Sequence, residues 1–175
     1  MELTTSYQML AQKYLGNSYG DLYIRIYARY TSQDADNLTS IVQYQARAYY
    51  SGSTYILDQQ SSGSVSGTGA TTQAFTKSTN YPSGETTLAT ITGTVNHNAD
   101  TGEASISASA YLNFPNWSWS GTATGSATLP KLDVSSLHLG VNGSWKKCKV
   151  YLGVNGVWKQ CKAYLGVNGS WKKGV

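Results

Sequence analysis

Polar and apolar positions alternate along much of this chain. In DLYIRIYARY, Leu22, Ile24, Ile26 and Ala28 fall on one side and Tyr23, Arg25, Tyr27 and Arg29 on the other, which predicts a half-buried strand. IVQYQARAYY repeats the pattern, with Val42, Tyr44, Ala46 and Ala48 opposite Gln43, Gln45 and Arg47, and SQDADNLTS between the two supplies the Asp, Asn and Ser of a turn. STYILDQQ, TQAFTKST, TLATITGTVNH, ASISASAYLNF and SWSGTATGSATL follow, each bounded by Gly, Asn, Asp or Pro. TTSYQMLAQKYL suits a short helix or an opening strand, and strand is preferred because its partners are all strands. Seven or eight strands without helical periodicity between them predict an all-β fold, an antiparallel β-sandwich of the immunoglobulin-like or jelly-roll kind. LPKLD closes it, so residues 1–133 are read as one domain.

Residues 134–175 have a different vocabulary. Leu139, Leu152 and Leu165 recur at 13 residues, as do Trp145, Trp158 and Trp171. Asn-Gly between two apolar runs is a strong signal for a two-residue hairpin turn, since both turn positions need positive φ. Taking Asn155-Gly156 as the loop sets Val154 opposite Val157, Gly153 opposite Trp158 and Leu152 opposite Lys159. One face then carries Val150, Leu152, Val154, Val157 and Cys161, and the other Tyr151 and Trp158. A lone two-stranded hairpin is marginal in water. The three copies are therefore expected to share a sheet or short solenoid and to bury one another.

Composition changes the picture in one respect and charge in another. The chain has 14 Tyr against 2 Phe, so most rings carry a hydroxyl suited to exposed sheet faces and contact surfaces. Through Asp133 six basic residues stand against nine acidic ones, a net of −3, whereas from Val134 onward seven lysines stand alone at +7. The basic pI belongs to the tail, which suits either a solvated lysine face or an anionic partner. The N-terminal MELTTSYQMLAQ has no cationic start or apolar core, and no stretch is long and apolar enough for a membrane span, so neither secretion signal nor membrane partner is expected. Cys148 and Cys161 occupy one slot of adjacent repeats. They read as small buried thiols, with a disulfide open if the repeats stack; two Cys without a His pattern do not make a zinc site.

His97, Asp100 and Glu103 in HNADTGEAS are the one cluster resembling a catalytic or metal constellation. Asn98, Asp100 and Gly102 at this spacing fit a hairpin loop, and calcium would want more oxygen ligands. No Ser/His/Asp order, nucleophile elbow or phosphate-cradling loop appears, so no catalytic residue, metal ligand or cofactor is assigned. Trp117 and Trp119, two apart on an expected strand, would share a face, either as an aromatic platform or as part of the core.

SYQMLAQKYLGNSYGDLYIRIYARYTSQDADNLTSIVQYQARAYY, GTVNHNADTGEASISASA and SGTATGSATLPKL together resemble a domain of virion proteins of siphovirus-type tailed bacteriophages and prophages of Gram-positive hosts. There a strand ending in a His-Asn-x-Asp-Gly-like turn leads into a small-residue strand, and the domain ends in a Leu-Pro motif. Here Thr101 stands between Asp100 and Gly102, a slightly longer turn. YLGVNGxWK is similar to short C-terminal repeats of phage tail-associated proteins. The resemblance covers almost the whole chain and implies a virion protein made in the host cytoplasm, with no catalytic residue to carry over.

Two functions are therefore expected. The first is a structural protein of a tail, fibre or head decoration, with other virion proteins and further copies of itself, as a homo-oligomer, for partners. The second is a cell-wall carbohydrate-binding module in which Trp145, Tyr151, Trp158, Tyr164 and Trp171, with the lysines, take a host cell-surface glycan, and Trp117 and Trp119 offer a further platform. An enzyme ranks third. Nucleic acid ranks last as a partner, because the tail's charge comes with no recognised fold for it.

Overall fold

The alternation in the sequence becomes two packed antiparallel sheets of four strands each. The computed structural model describes residues 1–17, 20–53, 60–78, 80–134, 137–141, 144–148, 150–161, 164–167 and 170–173. It divides into two units, Met1–Leu132 and Asp133–Val175. In the first, the strands are β1 Gln8–Asn17, β2 Asp21–Asp34, β3 Thr39–Tyr50, β4 Ser61–Gly67, β5 Gln73–Lys77, β6 Gly84–Asn96, β7 Ser105–Phe114 and β8 Trp119–Thr128.

One sheet has the order β1-β2-β3-β6 and the other β5-β4-β7-β8. In an immunoglobulin-like sandwich strands A, B and E are neighbours on one sheet and G, F and C on the other. β2, β3 and β6 take the first three places and β8, β7 and β4 the second three, with β1 as an added edge strand. The order of connections thus decides between the two kinds of sandwich that the alternation left open.

The core follows from the period of two. Leu22, Ile24 and Ile26 of β2, Val42, Tyr44 and Ala46 of β3, and Ala110, Leu112 and Phe114 of β7 are fully buried. Tyrosine departs from the expected preference for open faces. Tyr44, Tyr50 and Tyr81 are among the largest buried side chains. Burial is tolerated where the hydroxyl finds a partner: Tyr44 donates to the Thr68 carbonyl at 2.8 Å, and Tyr81 pairs with Ser61 Oγ at 2.5 Å. Burial pushes both phenols up, Tyr81 to about 12, against the hydrogen bonds.

The opening segment is a strand, not a helix, and pairs with β2 from Gln8↔Ala28 to Asn17↔Asp21. β4, with the sequence SSGSVSG, was not expected: its Ser and Gly read as loop, yet Ser61 and Val65 reach the core and the strand is held between β5 and β7. The strand expected at STYILDQQ falls mostly on residues 54–59, outside the described residues.

The second unit consists of three hairpins, β9 Leu137–Val141 with β10 Ser144–Cys148, β11 Val150–Val154 with β12 Val157–Cys161, and β13 Tyr164–Val167 with β14 Ser170–Lys173. The middle ladder runs Val150↔Cys161, Leu152↔Lys159, Gly153↔Trp158 and Val154↔Val157, the expected register, and its turn holds Asn155 at φ 51° and Gly156 at φ 78°. Trp145↔Gly140 and Trp171↔Gly166 repeat the pairing.

The expected shared sheet is not seen among the described residues. Among the described residues each hairpin is a separate two-stranded ladder, and in the middle one Leu152 and Val157 are each 59% exposed. The connection gives a reason for the first pair of hairpins. Residue 149 alone separates β10 from β11, shorter than the two residues of the tightest common hairpin loop, so these strands cannot reverse into one ladder.

Candidate functional site

Side chains that leave the core on β2 and β3 must stand on the outer face of the first sheet, and the pairing sets them in rows. Tyr14, Tyr23, Tyr49 and Glu85 are successive cross-strand partners from β1 to β6. The next row is Gln12, Arg25, Arg47 and Thr87; then come Tyr27, Gln45 and Thr90, and Arg29, Gln43 and Thr92. All three arginines of the chain lie on this face.

The guanidinium groups lie over tyrosine rings. Arg25 is 3.9 Å from the Tyr49 centroid, Arg47 is 4.2 Å from Tyr27, and Arg29 is 4.4 Å from Tyr7. Such contacts contribute about 0.5–1 kcal/mol at exposed sites. Tyr23 joins the set edge-on to Tyr14 at 5.5 Å and tilted toward Tyr49 at 6.3 Å.

Glu85 ties the arginines together. Its Oε1 accepts from Arg25 Nη1 at 2.9 Å and from the Tyr27 hydroxyl, and its Oε2 accepts from Arg47 Nη1 at 2.8 Å. Partial burial alone would raise this carboxyl, but the hydrogen bonds from Tyr27, Arg47 and Arg25 outweigh burial and hold it below its ordinary value. The same contact works the other way on Tyr27, which burial and then Glu85 push up. Gln12 accepts from Arg25 at 3.1 Å, Gln45 from Arg47 at 2.9 and 2.6 Å, and Gln43 from Arg29 at 3.1 and 2.9 Å and from the Tyr7 hydroxyl at 3.1 Å.

Each arginine is thus fixed by a ring beneath it and by acceptors at its rim. Its rotamer freedom is spent in folding, so a partner meets a preorganised surface. The sequence carried the signal, since Tyr23, Arg25, Tyr27 and Arg29 were all read onto the polar side of one strand. It did not identify a site, because period two says which side a residue faces and not which rings and cations meet across strands.

The residues singled out from sequence fare differently. Trp117 and Trp119 do not sit on one strand. Pro115 opens a 3-10 turn over Pro115–Trp117, Ser118 takes a left-handed φ of 55°, and Trp119 begins β8. Both rings are half-buried against the core: Trp117 stacks on Phe114 at 6.2 Å and meets Trp119 edge-on at 4.6 Å. Trp119 also lies on Gly16, where any Cβ would strike its indole. These are packing roles, not an open platform. Tyr151 is 50% exposed on its hairpin. Trp145, Trp158 and Trp171 hold equivalent ladder positions and Tyr164 takes the position of Tyr151, but the side chains of these four, like those of Cys148 and Cys161, lie outside the described residues.

His97 is buried, with Nδ1 2.8 Å from the Gly102 carbonyl and Nε2 2.7 Å from Ser40 Oγ. A carbonyl only accepts, so Nδ1 carries a proton, and in the neutral ring the Ser40 hydroxyl donates to Nε2. Gln33 Nε2 donates to Ser40 Oγ at 3.1 Å and to the Pro130 carbonyl at 2.9 Å. Asn98 Oδ1 accepts from the Asp100 and Thr101 amides, as the turn reading requires. A Ser-His contact exists here, but Ser40 is 1% exposed and its hydroxyl is committed within a strut that joins β2, β3, β6 and the Leu-Pro segment. Among the described residues no group of three His, Cys, Asp or Glu could hold a metal, and no helix is long and apolar enough to cross a membrane.

Compared with known proteins, the chain matches no family model and no curated protein.

Proposed function

We propose that this chain is a structural component of a tailed-bacteriophage particle and that it works by non-covalent attachment. The tyrosine and arginine face is its main contact surface, and the hairpin repeats form a second, basic one. The observation that carries the reading is the fixed assembly of Tyr7, Tyr23, Tyr27 and Tyr49 with Arg25, Arg29 and Arg47 on an open sheet. Tyr and Arg are residue types in which binding energy concentrates at contact surfaces. The phage-like wording of the domain and of its GVNG repeats supplies the particle.

The test is antibody labelling of purified tailed particles from a host carrying the gene. Regular labelling at one place on the particle supports the reading. Particles without the chain, with the protein soluble in the lysate, would refute it.

A further inference from the structure

We infer that the tyrosine and arginine face takes an anionic polysaccharide whose carboxylates are borne directly on its sugar rings. This deepens the contact-face reading above and rests on it.

Charge gives the first reason. Three guanidinium groups share this face with Glu85, which the salt bridges divide between Arg25 and Arg47. Arg29 has a neutral partner, the Gln43 amide oxygen. The face is therefore cationic although the unit that bears it is net acidic, so it favours an anion and disfavours a second copy of itself. Arg25 commits Nε to Gln12 and Nη1 to Glu85, and a guanidinium has five N–H donors, so donors remain for a ligand.

The second reason is what fills the space between the rings. A protein interface is more apolar at its buried centre. Here Gln12, Gln45, Thr87 and Thr90 stand among the tyrosines, so the surface between the rings offers hydrogen bonds, as a hydroxyl-rich ligand needs. The row Tyr14, Tyr23, Tyr49 crosses three strands with ring spacings of 5.5 and 6.3 Å; Arg25 lies over Tyr49, which leaves Tyr14 and Tyr23 to take successive sugar rings beside the cation. Tyr14, at 47% exposed, is the open end of the row.

The third reason is the distance from ring to cation. The Arg25 guanidinium lies 3.9 Å from the Tyr49 centroid and 6.0 Å from that of Tyr23. A carboxylate attached to a sugar stacked on Tyr14 or Tyr23 reaches that guanidinium, where the planar fork suits it. A charged polymer without rings would use the arginines and leave the tyrosines idle.

Titration calorimetry on the full chain decides the matter with three probes: oligogalacturonate, its methyl ester, and inorganic polyphosphate. The ester keeps the rings and removes the charge; polyphosphate keeps the charge and has no rings. Oligogalacturonate should bind, with both controls weaker by about tenfold or more. Arg29→Gln and Tyr14→Ala, each checked for an unchanged circular dichroism spectrum and melting temperature, should each weaken it about tenfold. Equal binding of polyphosphate, wild-type affinity in both variants, or no binding by oligogalacturonate would overturn the inference. Any of these could occur while particles still carried the chain, so failure here is distinct from failure of the particle reading.

Discussion

Removing one hydroxyl, Ser40→Ala, tests whether the buried strut is structural. The substitution deletes the donor to His97 Nε2 and an acceptor of Gln33 Nε2 together. His97 cannot compensate by changing tautomer, because Nδ1 must keep its proton for the Gly102 carbonyl 2.8 Å away. Nε2 is then a buried acceptor without a donor, which costs about 1–3 kcal/mol, and the lost Gln33 contact adds about 0.5–1.5 kcal/mol. The methyl group left behind fills much of the space, so a cavity contributes little. A total of about 2–4 kcal/mol is expected, and at a urea slope of about 2 kcal/mol/M the midpoint should fall by about 1–2 M with the slope unchanged. Asp100→Ala, in the turn that follows His97 but with its side chain exposed, should change stability by no more than about 0.5 kcal/mol. A Ser40→Ala midpoint within error of wild type, or a larger effect from Asp100→Ala, would refute this account of the strut.

Further tests follow from other elements. Glu85 has a lowered pKa, so its contribution is present above its ordinary value of 4.5 and is lost as pH falls through the folded-state value; near-ultraviolet circular dichroism should show an acid-side change in tyrosine signal that Glu85→Gln lacks. Gly156→Val forces a β-branched residue to φ 78° and should cost the middle hairpin about 1–3 kcal/mol, with hydrogen-exchange protection lost over β11–β12 and retained in the other two ladders, because the ladders are separate. Gly16→Ala should cost about 1–3 kcal/mol by overpacking against the Trp119 indole, with a shift in tryptophan emission; unchanged emission and stability would show that the ring does not rest there.

Where one face of a strand was buried and the other wet, the sequence could be read directly. β2, β3 and β6 through β8 lie within a few residues of their expected places, and the hairpin register was legible because Asn-Gly admits one turn geometry. β4 was illegible for the opposite reason: SSGSVSG has little strand preference of its own and is a strand because of its neighbours. Trp117 and Trp119 misled because Pro115 breaks the strand between β7 and the second ring, which moves their spacing off period two. The separation of the hairpins was illegible, because the one-residue link between β10 and β11 depends on strand ends that the repeat alone does not fix. The contact face lay in plain sight as residues, but Arg25 over Tyr49 and Arg29 over Tyr7 depend on pairing across strands, which alternation within a strand does not specify.

Met1–Leu3 run parallel to the end of β8, with Leu3 donating to the Thr128 carbonyl at 2.9 Å and Thr128 donating to the Met1 carbonyl at 3.0 Å. Because the two segments point the same way, tension between the start of the sandwich and the segment that follows it pulls them past each other lengthwise. The bonds across that seam then carry the load together instead of opening one at a time. If the chain is held by its contact face and pulled through its hairpins, the force instead crosses from one sheet to the other through the packed core, and the sandwich becomes the link that must not stretch.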